Sequence, residues 1–488
     1  MSSLALGSCS EWLDVNSDPT FPQEAPAEVL MPPIFAEMVR GEGLDSRVFG
    51  CYVQNFANIV TDYQFDRHGY VPGNDAGGEK WRQHYWSIGK NIDLIIDDAK
   101  AGEKWWYVGA AYAVRAWSWQ TTTDVHAEMI LKQAWAPNRY TFDYDPQEEV
   151  YAEVVRLCNQ ALEYLAMDDV TGSLAKGDLV FKGDRDKWVK FVNSILVRNA
   201  HHLSNKASYN ADAVIALVDQ AMASNTDNFM VPFLGTLSNP NDGGNHSIDG
   251  PSRTNWTNFR QALYSINMVN GTMDLINGTA TPTGVIDPRR DLMFQPSTDG
   301  TYRGGVNGSA ITTAGATGIP LPYGKYIFRD NASFPIMTYS EMQFVKAEAA
   351  FKKGDAATAY TAYRNGIIAH MDYTGVSAAN RDAYMLSAAV AQSSGALTLS
   401  AIMMQKYIAM WGHGTLETWV DMRRYRYDEA VYNNFTPPNP LFASNNGKLA
   451  YRARPRFNSE YVWNVAALEK IGGNALDYNT VEPWFIQP

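Results

Sequence analysis

Cysteine is almost missing from this chain, with three in 488 residues. Cys9, Cys51 and Cys158 form no CxxC spacing and no pairing with histidine, which removes zinc sites of the finger or ribbon kind. Cys51 and Cys158 fall in apolar helical stretches and read as buried thiols. Long apolar runs are missing too: none reaches about 18 residues, so no helix is expected to cross a membrane. Basic charge is in deficit, with 40 Lys and Arg against 52 Asp and Glu and a net charge of -12. That excludes a nucleic-acid backbone as partner, because phosphate contacts need a basic face.

Catalytic motifs are also lacking. There is no H-E-x-x-H, no G-K-[ST] phosphate loop, no G-x-S-x-G elbow and no dinucleotide fingerprint. His201 and His202 are adjacent on a helix, where neighbouring side chains point about 100° apart and cannot share one metal from one face. They read as core or solvated histidines. The loop from Asn239 to Asp249 is rich in Asp, Asn and Gly but lacks the closing Glu of an EF-hand, and such loops form turns without a metal. Neither a metal nor a cofactor is expected. Acid pairs are inevitable among 52 acidic residues, and sequence spacing cannot place two of them across a sugar.

What is abundant is aromatic surface. Aromatics make up 12% of the chain, including 14 Trp and 27 Tyr. Their rings stack on the C–H faces of sugars and anchor interfaces, although most fill core. Helical spacing of apolar residues recurs along most of the sequence. It predicts helices from about Ile34, over Ser46 to Thr61, over Trp81 to Ala99 and over Trp105 to Trp119, the last two joined at Gly102. Further helices are predicted over Glu148 to Met167, Asp186 to Leu203 and Ala211 to Ala223. Tyr339 to His370 reads as a helical hairpin turning at Gly354-Asp355, where small residues let two helices cross closely and resemble a tetratricopeptide unit. A 34-residue period cannot be followed further, so helix pairs around one core are expected, not a regular solenoid.

Two stretches differ. Glu11 to Pro33 carries Pro19, Pro22, Pro26, Pro32 and Pro33 and reads as an extended tether. Phe229 to Pro335 is rich in Gly, Asn, Thr, Ser and Pro, a long loop-rich insertion of the kind that is usually functional. Within it, Thr257 to Ile276 is predicted to be helical.

The densest signal lies between Ser400 and Tyr427. Leu397, Ala401, Met404, Ile408 and Trp411 give one apolar helical face that should stop at Gly412. Glu417, Trp419, Asp421, Arg423 and Arg424 then crowd acids, an aromatic ring and paired guanidinium groups into eight residues. This Glu-x-Trp-x-Asp-x-Arg-Arg-Tyr element resembles the C-terminal signature of the SusD/RagB family of nutrient-binding outer-membrane lipoproteins. Asp287, Pro288, Arg289 and Asp291 resemble that family's DPR element. Leu6, Gly7, Ser8 and Cys9 resemble a lipobox ahead of the family's mature N-terminus.

The resemblance implies a mainly α, SusD-like fold of tetratricopeptide-like helix pairs with a loop-rich insertion at about 229–335. It implies residues 1–8 as a signal-peptide remnant, 9–33 as a lipid-anchor tether acylated at Cys9, and 34–488 as a single domain. Glu417, Trp419, Asp421, Arg423 and Arg424 then form a scaffold of ion pairs and hydrogen bonds, with no catalytic role. The implied function is binding without turnover: a lipid-anchored protein at the outer-membrane surface that captures a nutrient, usually an oligosaccharide, as the lid of a SusC-like TonB-dependent transporter. A secreted glycan hydrolase or lyase on a helical scaffold and a helical-repeat adaptor for proteins are the rival readings. Because helical aromatics are spent on packing, the ligand is expected where periodicity fails, at Tyr63, Asp66, Arg67 and Tyr70 and at Trp256, Tyr302 and Tyr323.

Overall fold

The structure, a computed structural model, describes residues 25–60, 64–71, 73–235, 256–278 and 282–488. Among these residues seventeen α-helices stand beside four strands of three or four residues each, so the chain is mainly α. The expected pairs form. Lys90–Ala101 packs along Trp105–His126 and Gln147–Leu165 along Arg185–His202, while a contact not expected, Trp105–His126 along Gln147–Leu165, joins the two pairs. Tyr339–Lys353 packs along Ala356–Thr374. The turn between these last two is built as its sequence suggests: Gly354 takes φ +85° at the helix end, and the Asp355 carboxylate accepts Thr358 N at 3.1 Å to start the next helix. Leu399–Met410 ends just before Gly412, which takes φ +86°.

Three elements depart from their periodicity. The prolines at 32 and 33 lie inside one helix, Ala27–Tyr52, so the segment expected to be tether up to residue 33 is helical from Ala27. The reason is tertiary. Ala27, Met31, Ile34, Phe35 and Met38 bury one face, and the cap comes from a distant helix, where Asp98 Oδ2 accepts Ala27 N at 3.0 Å. That helix stops at Tyr52, short of Thr61, and Phe56–Asn58 becomes a strand. Its antiparallel partner is Phe259–Gln261, the first part of the stretch expected to be helical, and only Leu263–Val269 of that stretch forms a helix.

These small sheets organise the insertion. Phe229–Val231 pairs antiparallel with Phe334–Met337, so the two ends of the insertion close on each other. The pairing of Phe259–Gln261 with Phe56–Asn58 pins its middle to the N-terminal helix. Each strand is too short to stand alone, and each is stabilised by burial of Phe56, Phe229, Phe259 and Phe334 in the common core.

The signature elements sit at the centre of that core. Arg424 forks onto Glu348 with contacts of 2.6 and 2.9 Å and reaches Asp421 at 2.6 Å. Lys406 closes on Asp421 at 2.7 Å. Glu417 pairs with His202 at 3.1 Å, and His202 reaches Asp124 at 3.2 Å. Arg198 pairs with Glu341 at 2.6 Å. All of these side chains are buried. His201 and His202 are therefore core residues within a charge network. Arg423 is the exception among the paired arginines: it donates to the carbonyls of Asp124 at 2.7 Å and Tyr451 at 2.9 Å and lies 3.8 Å above the Trp419 ring. Asp421 pairs with Arg424 and Lys406, not with Arg423. Trp419 stacks on Phe49 at 4.6 Å and donates to Tyr427 at 2.7 Å. One short helix, Thr415–Arg424, thus ties the N-terminal helix, four middle helices and the C-terminal segment together.

Burial disfavours charge on every one of these groups, so pairing must outweigh it. It does so at Glu348, which Arg424 and His201 hold well below the usual carboxylate range against its burial. It also does so at His202, where Glu417 and Asp124 overcome burial and raise the imidazole to about 9. Two outcomes are expected. Arg424→Met strands Glu348 and Asp421 and lowers stability by about 3–5 kcal/mol in urea unfolding. The His202 contribution, from a folded pKa raised above 6.5, is complete below pH 6.5 and is lost as pH rises through about 9. The melting temperature should therefore fall on the alkaline side, and His202→Gln should flatten that fall.

Candidate functional site

The helical run after Gly78 changes its winding. Glu79–Arg82 is α, Gln83–Gly89 is a π turn, and Lys90–Ala101 is α again. A π turn inserts an extra residue into the helix and is frequent at functional sites. Here it keeps Trp81, Ile88, Ile92, Ile95 and Ile96 in the core while Trp86 stands 76% exposed. The carbonyl of Tyr85, inside the π turn, accepts Trp135 Nε1 at 2.8 Å. The Tyr85 hydroxyl donates to Ile130 O at 3.0 Å and accepts Ile130 N at 2.8 Å, so the segment 130–135 is sewn to the π turn at both ends.

Trp135 holds φ +58°, a left-handed backbone that costs a bulky residue free energy and clusters at functional sites. Its ring lies 5.8 Å from Tyr85 and 5.5 Å from the Arg115 guanidinium, which Asp93 at 2.6 Å and the Gly89 carbonyl at 2.8 Å hold in place. Gly89 makes this possible, because a Cβ there would stand 1.9 Å from the Trp135 ring.

Trp81, Tyr85, Trp86, Trp135, Ile130 and Phe142 line an open cavity of about 450 Å³. Arg82, Arg456, Ser459 and Glu460 supply its polar fringe. Glu79 holds Arg82 at 2.7 Å, and Asp75 holds Arg456 at 3.3 Å. Glu460 accepts Tyr144 OH at 2.6 Å and Asn464 Nδ2 at 2.8 Å. Burial, with Glu460 next, pushes the phenols of Tyr85 and Tyr144 well above their ordinary range, so both are neutral hydroxyls. The cavity offers ring faces and a few fixed donors and acceptors, the combination that suits a ligand with both C–H and hydroxyl faces.

Comparison with known proteins places the chain in a family. A family model described as SusD-like, starch-binding associating with outer membrane, matches residues 19–454. The chain belongs to the SusD-like family. A chitin-binding SusD homolog from Flavobacterium johnsoniae superposes with a TM-score of 0.72 at 19% identity, covering 94% of this chain and 98% of its own. A SusD homolog from Bacteroides fragilis gives 0.70 at 18%, over 95% and 100%. A SusD-like protein from Bacteroides thetaiotaomicron gives 0.70 at 22%, over 94% and 98%. At these identities the likeness establishes the fold. Comparison with curated proteins finds no match.

In this SusD-like chain the loop aromatics expected to meet the ligand take varied places. Trp256 is fully buried among Phe56, Phe259 and Phe328, at 5.0 to 5.7 Å. Asp66 is fully buried as well; its Oδ1 accepts Asn58 N and Asn307 Nδ2, each at 3.1 Å, and burial raises it to about 6. Neither presents a surface to a ligand in this structure; both fasten the insertion to the body. Arg67 is half-buried, and its carbonyl accepts Phe442 N at 2.9 Å. Tyr70 lies 3.6 Å under the Arg454 guanidinium and lines a narrow cleft with Asp75 and Arg456, and Arg456 also fringes the aromatic cavity. Tyr302 is half-buried, 4.3 Å from Arg290, and Tyr323 is half-buried with its carbonyl accepting from Gln295. Tyr63, Cys9 and the 239–249 loop lie outside the described residues.

Periodicity over Trp81 to Ala99 passes over Trp86, Trp135 and Glu460, yet a signal for Trp86 exists. It shares a stripe with Arg82, Lys90, Asp93 and Asp97, opposite the apolar face, and a Trp on a charged stripe is an exposed ring. Trp135 and Glu460 have no such signal, because tertiary contacts alone bring them in. Gly89→Ala is expected to expel the Trp135 ring and destabilise the fold by about 1–3 kcal/mol. Thermal melting, together with a red-shifted Trp emission, checks it.

Proposed function

We propose that this protein binds an oligosaccharide in the cavity between Trp86 and Trp135 and serves as the cell-surface lid of a SusC-like TonB-dependent transporter. The observation that carries the reading is the π turn that exposes Trp86 beside the strained Trp135, over a fringe of Arg82, Arg456, Ser459 and Glu460. Strain and exposure of this kind work against stability, and a ligand contact offsets them. The family's description, starch-binding associating with outer membrane, and the chitin-binding relative support a glycan as ligand. Binding is favoured over hydrolysis because Glu460 is the one carboxylate among the described residues that line the cavity, whereas most glycosidases act with two.

No helix among the described residues is long and apolar enough to cross a membrane. Attachment is assigned to acylation at Cys9, and since one chain holds only reversibly, several acyl chains or the transporter barrel complete it. Mass spectrometry of membrane-extracted protein should find Cys9 acylated at the mature N-terminus; a free Cys9 thiol there rejects the anchor. For the ligand, a glycan array followed by calorimetry is expected to find an oligosaccharide whose affinity drops about tenfold or more in Trp86→Ala, at unchanged melting temperature. Full affinity in that variant places the ligand elsewhere.

A further inference from the structure

The aromatic surface does not end at the mouth of the cavity. Ser459 and Glu460 line it from the helix Phe457–Trp463. Trp463 lies four residues after Ser459 and three after Glu460, so helical geometry puts it on the same face one turn further out, about 5.4 Å along the axis. That step is of the order of one sugar ring. Trp463 is 74% exposed, and Val462 and Val465 beside it are 48% and 40% exposed.

The outer turn is held rigidly against the cavity wall. The next residue, Asn464, accepts Phe142 N at 2.9 Å through Oδ1 and donates to Phe142 O at 2.9 Å through Nδ2, an exchange that imitates strand pairing. Its Nδ2 also reaches Glu460 Oε2, the atom that accepts Tyr144 OH. Phe142 itself lines the cavity, and Tyr140, two residues before it, is 88% exposed. One side-chain amide thus ties together the two backbone segments that carry these exposed rings.

We infer that Trp463, with Tyr140 on the segment that Asn464 holds, forms an outer subsite that selects for chain length, so that the ligand is a polymer segment longer than the cavity alone can hold. This rests on the glycan reading of the cavity. The cavity grips the inner units between Trp86 and Trp135, and the Trp463 ring stacks on a unit beyond the mouth. Stacking on a preorganised ring adds affinity at little ordering cost, which is the advantage of fixing the turn through Asn464.

The test uses the full chain and two ladders, α-1,4-linked glucose and β-1,4-linked N-acetylglucosamine, each as disaccharide and hexasaccharide, titrated calorimetrically. Trp463→Ala is expected to weaken hexasaccharide binding about tenfold while the disaccharide is affected little. Tyr140→Ala should shift the hexasaccharide in the same direction. Leu386→Ala, which removes an equally exposed apolar side chain (76%) outside this rim, controls for surface effects. Trp86→Ala should weaken both lengths, which separates the two ideas: its full binding would overturn the cavity reading. Undiminished hexasaccharide affinity in a folded Trp463→Ala overturns the outer subsite and leaves the cavity reading standing. Equal loss of both lengths overturns it as well, because Trp463 would then belong to the cavity. A wild-type protein that binds neither ladder rejects these glycans for the cavity and the subsite together.

Discussion

The fork of Arg424 onto Glu348, with Asp421 and Lys406 completing the square, is the interaction on which the rest of the molecule depends. A buried ion pair is a weak source of stability by itself, because desolvation takes back much of the Coulombic gain. Its value lies in what breaking it costs. Each charge is committed to a partner on another helix, so Arg185–His202, Tyr339–Lys353, Leu399–Met410 and Thr415–Arg424 are held in one mutual arrangement. Hydrophobic burial would tolerate sliding of one helix over another. A network with every charge paired does not.

That rigidity lets the periphery be irregular. Among its described residues the insertion carries little regular structure, yet its ends pair through Phe229–Val231 and Phe334–Met337, and Phe259–Gln261 within it is pinned at Phe56–Asn58. Closing a long loop costs free energy that grows only slowly with length, so a few buried phenylalanines suffice to anchor the insertion. Asp66 and Trp256 belong to this fastening, as their burial shows.

The cavity stands on the opposite principle. Its walls come from a π turn, a left-handed Trp135 and a loop tied by Asn464, none of which is the cheapest conformation for its residues. Secondary structure of that kind persists where the surroundings over-determine it, and here Tyr85, Arg115 and Gly89 do so. Arrangement on elements that cannot relax is what keeps the Trp86 ring open to solvent.

Several features followed from the sequence alone. Apolar spacing marked Gln147–Leu165 and Arg185–His202 to within two residues and the start of Trp105–His126, whose end lies seven residues beyond the expected Trp119, because burying one face of a helix writes a local repeat into the chain. Gly354-Asp355 marked a turn because glycine takes positive φ and aspartate caps a helix, both local effects. The crowded acids and arginines between Glu417 and Arg424 marked a buried ionic scaffold, although their partners at Glu348, Lys406 and His202 could not be read. Tertiary structure decided the rest. The helix through Pro32 and Pro33 exists because Asp98 caps it from another element, and the strand at Phe259–Gln261 exists because Phe56–Asn58, two hundred residues away, pairs with it. Trp135 and Glu460 came to line one cavity with Trp86 in the same manner. Local pattern records which face of an element is buried; which faces of different elements meet depends on packing between residues far apart in the chain, and no short-range regularity encodes it.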